Sequence, residues 1–158
     1  MSEKMELLLW RHAEAEPGEP DLGRQLTAKG EKQARRTAQW LHAHLPDSAR
    51  IYASPALRAQ QTAQALAELS RRKVKTVDAL APEATPEAVL QAVDWPDARA
   101  TIVVVGHQPT LGQVASLLLA GKALPWSVKK SGVWWLQARR RDGVLNVVLR
   151  AVINPDLL

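Results

Sequence analysis

The 158-residue chain contains no cysteine and no phenylalanine, and it has a single tyrosine. Without cysteine there are no disulfides, no thiolate metal ligands and no cysteine nucleophile, so any covalent chemistry must run through another side chain. No apolar run approaches membrane-spanning length, and Met1-Ser2-Glu3-Lys4-Met5-Glu6 lacks the charged start and apolar stretch of a signal peptide. The expectation is a soluble, cytoplasmic protein with no membrane partner. No Gly-x-Gly-x-x-Gly and no Gly-x-x-x-x-Gly-Lys loop occurs, which removes two common nucleotide-binding signatures. There is no internal repeat and no low-complexity segment. The length fits one domain, residues 1–158, large enough to bury a proper core.

The residues present are more informative. Lys and Arg number 21 against 16 Asp and Glu, a formal net charge of +5. An excess of that size favours anionic ligands without requiring nucleic acid, which is not expected as a partner. Six tryptophans make up most of the aromatic content. Trp134 and Trp135 are adjacent in an extended run and so face opposite sides, which leaves one of them near the surface under a loop or a partner.

Leu7-Leu8-Leu9-Trp10 is an apolar run that stops at Arg11 and His12. Four to eight apolar residues closed by polar ones read as a buried strand, and residues just past such a strand lie where parallel sheets bind ligands. A breaker-rich loop follows, Glu14-Ala15-Glu16-Pro17-Gly18-Glu19-Pro20-Asp21. Thr27 then caps a helix whose buried stripe is Ala34, Ala38, Leu41 and Leu45, ended by Pro46. His42 and His44 stand two apart on that helix, face different ways and read as solvated, not as a metal pair.

Ile51-Tyr52-Ala53 predicts a second strand, with Ser54-Pro55 as the start of the next helix, hydroxyl at the cap and proline in the first turn. Arg58 falls at the positive end of that helix, where a cation is disfavoured unless an anion lies close. Val74-Lys75-Thr76-Val77 is a third strand, and Thr85-Pro86 opens a short helix through about Asp94. Thr101 to Val105 is a second buried strand, β-branched throughout, that ends at Gly106-His107-Gln108-Pro109 before an apolar helix. That helix is expected to offer free N–H donors to an anion. Val133–Ala138 and Val144–Arg150, joined around Asp142-Gly143, predict a hairpin at the antiparallel edge of the sheet, with Arg139-Arg140-Arg141 as a solvated turn.

Strand and helix alternation predicts an α/β fold, a three-layer sandwich on a mainly parallel sheet with an antiparallel edge hairpin at its C-terminal side. In that architecture Arg11, His12, Arg58 and His107 each follow a strand at its carboxyl end, so they converge on one crevice. Two arginines and two histidines suit a dianionic phosphoryl group: guanidinium forks clamp its oxygens, and a neutral imidazole is a competent nucleophile near neutral pH. No metal cluster and no cofactor motif accompanies them.

Arg11-His12-Ala13-Glu14, Arg24-Gln25-Leu26-Thr27-Ala28-Lys29-Gly30, Ser54-Pro55-Ala56-Leu57-Arg58 and Val105-Gly106-His107-Gln108-Pro109 together resemble the histidine phosphatase superfamily, and within it the SixA phosphohistidine phosphatases. The resemblance implies that His12 is the catalytic nucleophile that becomes phosphorylated. It also implies that Arg11 and Arg58 bind phosphate, that His107 is catalytic and completes the phosphate pocket, and that no metal or cofactor takes part. The superfamily places glycine where this chain has Ala13, an addition that is tolerable if the backbone there has negative φ. The candidates for a general acid are Glu83, in the loop where many members of the superfamily carry a glutamate, and Glu14 and Glu16, which have comparable claims by position. The implied activity is metal-independent dephosphorylation of a phosphohistidine-bearing signalling or phosphotransfer protein. The alternatives are a small-molecule or phosphoserine/threonine phosphomonoesterase and a non-catalytic phosphate-binding module.

Overall fold

Leu7, Leu8, Leu9 and Trp10 are all fully buried because both faces of their strand are covered. In the computed structural model, which describes residues 3–158, this strand, β1 (Glu3–Arg11), lies inside a six-stranded sheet. The others are β2 (Arg50–Ala53), β3 (Val74–Thr76), β4 (Thr101–Gly106), β5 (Val133–Arg141) and β6 (Val144–Ile153), in the order β3-β2-β4-β1-β5-β6. β1, β4, β2 and β3 pair in parallel, whereas β5 and β6 pair antiparallel.

Successive residues of a strand face opposite sides, and the two cores follow that alternation. Leu8, Trp10, Val103 and Val105 pack against α1 (Ala28–His44) and α2 (Leu57–Ser70) through Ala38, Leu41, Ala59, Ala63 and Leu66. Leu7, Leu9, Ile102 and Val104 pack against α3 (Pro86–Ala92) and α4 (Thr110–Ala120) through Val89, Leu111, Val114 and Ala115. Helices on both faces make the expected three layers. Small alanines on α1 and α2 let those helices approach the sheet closely, while fully burying each large side chain contributes about 1.5–3 kcal/mol.

The local signals behave as their chemistry requires. The Thr27 hydroxyl accepts from the Gly30 N–H at 2.9 Å, and the Thr85 hydroxyl accepts from the Ala88 N–H at 3.1 Å, capping α1 and α3. Asp142 and Gly143 both have positive φ, as a tight hairpin turn needs. Trp135 is buried, with Trp40 edge-on and the Arg150 guanidinium over its ring, whereas Trp134 is half-buried beside Trp126. His42 and His44 are exposed, and His44 stacks on Trp40.

Two expectations are corrected. The Arg139-Arg140-Arg141 triplet is the end of β5 and not the turn, because Asp142-Gly143 alone makes the reversal. α2 begins at Leu57, not at Ser54-Pro55, and Ala56 is its cap residue. The Ser54 hydroxyl is drawn instead toward the side chain that directly follows β4, as described next.

Candidate active site

Strand register brings the site together. Arg11 is level with Gly106, and Ala53 with Val105, so three neighbouring parallel strands end at one rim. The ladder continues one residue further: the His12 N–H donates to Gly106 O and the Ser54 N–H to Val105 O, both at 3.0 Å. His12, Ser54 and His107 are therefore held by sheet hydrogen bonds or lie next to them, and not on free loops.

Arg11, His12, Arg58 and His107 all line one cavity of about 280 Å³, which Arg24, Glu83 and Lys130 also border. The two imidazoles lie with ring centroids 5.1 Å apart, tilted by 55°. Arg58 is only 5% exposed and His107 only 4%, so both are interior groups aimed at a site and not surface charges. Among the described residues no three His, Asp or Glu side chains converge so as to hold a metal ion.

The protonation state of His12 follows from its neighbours. Its Nδ1 lies 2.7 Å from the Ala13 carbonyl oxygen, which can only accept; Nδ1 therefore carries the proton and Nε2 keeps its lone pair. Burial pushes the imidazole pKa down to about 4, and the nearby Arg58, Arg11 and Arg24 push the same way, only partly offset by the Ala13 carbonyl. Near pH 7 His12 is a neutral base in a cationic pocket.

His107 is driven further, to about 3, by burial first and then by His12 and Arg58. Its Nε2 lies 2.8 Å from Ser54 Oγ. That oxygen already accepts from the Ala56 N–H at 3.1 Å, so its own proton is free to go to His107 Nε2. With the hydroxyl donating, the ring proton resides on Nδ1, a buried nitrogen without a partner among the described residues. An unpaired buried N–H is costly unless an acceptor meets it, and an anionic oxygen is the strongest acceptor. Both imidazoles being neutral, the negative charge that would favour protonating His107 must come from a bound dianion.

The arginines are held from outside the pocket. Arg58 donates through Nη1 to Asp21 O at 2.8 Å and through Nη2 to Asp21 Oδ2 at 3.2 Å. Asp21 also receives Arg24 Nη1 at 3.0 Å, and these guanidinium contacts hold its carboxyl below the usual range. Arg58 thus has a carboxylate partner across the breaker-rich loop, which offsets its unfavourable place at the start of α2. Arg11 donates to Val128 O at 3.1 Å, and burial lowers its pKa. The Ala13 N–H donates to Thr62 Oγ1 at 3.0 Å, and Ala13 is not among the positive-φ residues, so its methyl is accommodated.

Of the three candidate acids, only Glu83 borders the cavity. Glu14 is occupied elsewhere, accepting from the Thr27 hydroxyl at 2.9 Å and facing Lys130 Nζ at 3.7 Å, and Glu16 borders a different surface hollow. The start of α4 is less open to an anion than expected, because its Leu111 N–H goes to His107 O and its Gly112 N–H to Gln108 Oε1. Sequence reasoning missed Ser54 and Asp21 as partners of the site. Ser54 had a signal, a hydroxyl immediately past a strand end; Asp21 had none, since its contact with Arg58 spans 37 positions.

A rim of this make-up, lone-pair imidazole beside fixed guanidinium groups, is the kind that handles an anionic group in an α/β enzyme. Comparison with known proteins specifies the kind. Residues 7–82 match the model of the histidine phosphatase superfamily (branch 1). A protein of Picosynechococcus sp. is 36% identical over 144 residues, covering 85% of this chain and 86% of its own. The SixA phosphohistidine phosphatase homologue of Haemophilus influenzae is 30% identical over 135 residues, covering 78% and 82%. A solved SixA-type structure from Nakamurella multipartitia superposes with a TM-score of 0.76 at 29% identity, covering 96% of each chain. The chain belongs to the histidine phosphatase superfamily and is a hydrolase of that kind.

Proposed function

We propose that this enzyme removes the phosphoryl group from phosphohistidine on a protein through a phospho-His12 intermediate, in the cytoplasm and without a metal. The observation that carries the reading is the His12 ring: Nδ1 is tied to the Ala13 carbonyl, and Nε2 is left unprotonated in a pocket lined by Arg11, Arg58 and His107. His12 Nε2 attacks phosphorus, and the P–N bond to the substrate imidazole breaks. The electron pair leaves on that imidazole nitrogen, and the substrate ring, already protonated on its other nitrogen, departs as neutral imidazole. Water then attacks the phospho-His12 phosphorus, and phosphate departs with His12 regenerated. Arg11 and Arg58 balance charge on the equatorial oxygens, and His107 donates to one of them.

Two considerations favour phosphohistidine. Imidazole, with a conjugate-acid pKa of about 6.5, leaves without a strong acid, whereas an alkoxide needs one. The cavity of about 280 Å³ also continues through Arg11 and Lys130 onto a wider basic surface outside it. A phosphorylated side chain presented by a protein fits such an opening.

The test is transfer of acid-labile radiolabel from histidine-phosphorylated protein to the purified enzyme. His12→Ala should abolish both the label and turnover, and full activity in that variant would defeat the mechanism. A second reading, hydrolysis of a phosphomonoester, is favoured by one observation, the place of Glu83 on the cavity wall. It predicts that Glu83→Gln slows ester hydrolysis at least 100-fold, in keeping with the usual range for a general acid. The phosphohistidine reading predicts a change of less than about threefold on phosphohistidine, and parallel rates on the two substrates decide between them.

A further inference from the structure

Beside the catalytic cavity lies a wider groove of about 600 Å³ that shares Arg11 and Lys130 with it. One wall is the exposed face of α1, where Lys29, Lys32 and Arg36 recur at helical spacing; Lys129 and Lys130 form another, and Asn154 to Asp156 the end. Six cationic side chains thus line it against one carboxylate, Asp156. Among the described residues, Lys29, Lys32, Arg36 and Lys129 form no ion pair. Lys29 also sits in the first turn of α1, where the helix dipole disfavours a cation. Glu14 faces Lys130 at 3.7 Å and is also drawn toward Lys29, so with Asp156 two carboxylates stand against six cations; the excess like charges repel one another, and an anionic partner reverses that penalty.

We propose that this groove is the docking surface for an acidic face of the phosphorylated protein, so that the partner lies along α1 while its phosphohistidine enters the cavity. The proposal rests on the phosphohistidine-protein reading for its substrate. Its geometry rests on the continuity of groove and cavity through Arg11 and Lys130. The long, exposed lysines suit a broad protein surface better than a single small anion, which they could not enclose. Steering of this type acts on encounter and on KM, not on the chemical step.

The experiment uses three fluorescent peptides, each with one phosphohistidine flanked by four glutamates, four alanines or four lysines, together with free phosphohistidine. Binding is read by anisotropy and turnover by phosphate release, at 50 and 500 mM salt. The glutamate peptide should bind at least tenfold more tightly than the lysine peptide at low salt, and the difference should shrink at high salt as exposed charges are screened. In K29E/K32E/R36E the preference should vanish or invert, while hydrolysis of free phosphohistidine stays within twofold. The single variant K129E, in a loop, should show the same trend if the triple variant folds poorly. Equal binding of all three peptides would overturn the proposal. So would an equal loss on free phosphohistidine, since the charges would then act on the cavity, and so would displacement of the glutamate peptide by a lower concentration of a 20-nucleotide RNA. Charge-ordered binding with no turnover of any phosphohistidine would support the groove and defeat the phosphohistidine reading alone.

Discussion

At the scale of single residues, the proposed mechanism depends on which ring nitrogen carries a proton. For His12 the Ala13 carbonyl decides it; for His107 the Ser54 hydroxyl, held by the Ala56 N–H, is the partner of Nε2. Ser54 is fully buried beside His107 and does not line the cavity, so in the proposed mechanism it acts through His107, as a positioning residue. Ser54→Ala should therefore lower kcat about tenfold with little change in KM, and shift the acidic limb of the kcat pH profile, because His107 is then free to adopt the other tautomer. Ser54→Thr, which keeps the hydroxyl, should recover most of the rate. A Ser54→Ala enzyme with an unchanged pH profile would show that the contact is only structural.

At the scale of elements, the loop after β1 is locked onto α1 and α2. The Glu14 N–H donates to Gln33 Oε1, Glu14 O accepts from the Thr27 N–H, and the Leu26 N–H donates to Gln61 Oε1. Gly30 is where α1 meets this loop, and a Cβ there would run into the Glu14 carbonyl oxygen, which is backbone and cannot swing aside. Gly30→Ala gains helix propensity of about 1 kcal/mol but must displace the segment that follows His12. The clash should win, with a net loss of about 2–3 kcal/mol of stability by denaturant melting and reduced turnover in the folded fraction. A more stable protein of full activity would contradict this packing.

At the scale of the whole molecule, the buried pocket makes stability depend on pH. The folded-state values of His12 and His107, about 4 and about 3, lie below the unfolded value of 6.5. Between these limits the unfolded chain binds more protons than the folded one. Stability is therefore complete above about pH 6.5 and falls as pH drops toward 4 and then 3. Replacing His107 with Asn removes one such group, so the fall in unfolding free energy between pH 7 and 4 should be shallower in the variant, by on the order of 1–3 kcal/mol. Asp21 and Glu14, whose carboxyls are held low by their partners, lose stabilising interactions as pH falls below the ordinary carboxylate range, equally in both proteins, so the comparison isolates the histidine. Parallel curves for the two proteins would contradict the burial argument.

Local pattern sufficed where the physics is local. The apolar run of β1, the β-branched run of β4, the Thr27 and Thr85 caps and the Asp142-Gly143 turn are legible because strand burial, capping and positive φ each depend on a few adjacent residues. The order of elements then placed Arg11, His12, Arg58 and His107 at one rim, since parallel strands in such a sheet end on the same side. Only the tertiary structure decided the pairings that act on them: Ser54 turned to His107 in place of capping α2, Asp21 reaching Arg58, and Glu83, not Glu14 or Glu16, on the cavity wall. Those depend on distances between residues far apart in the chain, and a hydrogen bond or ion pair between distant positions leaves no periodicity to read.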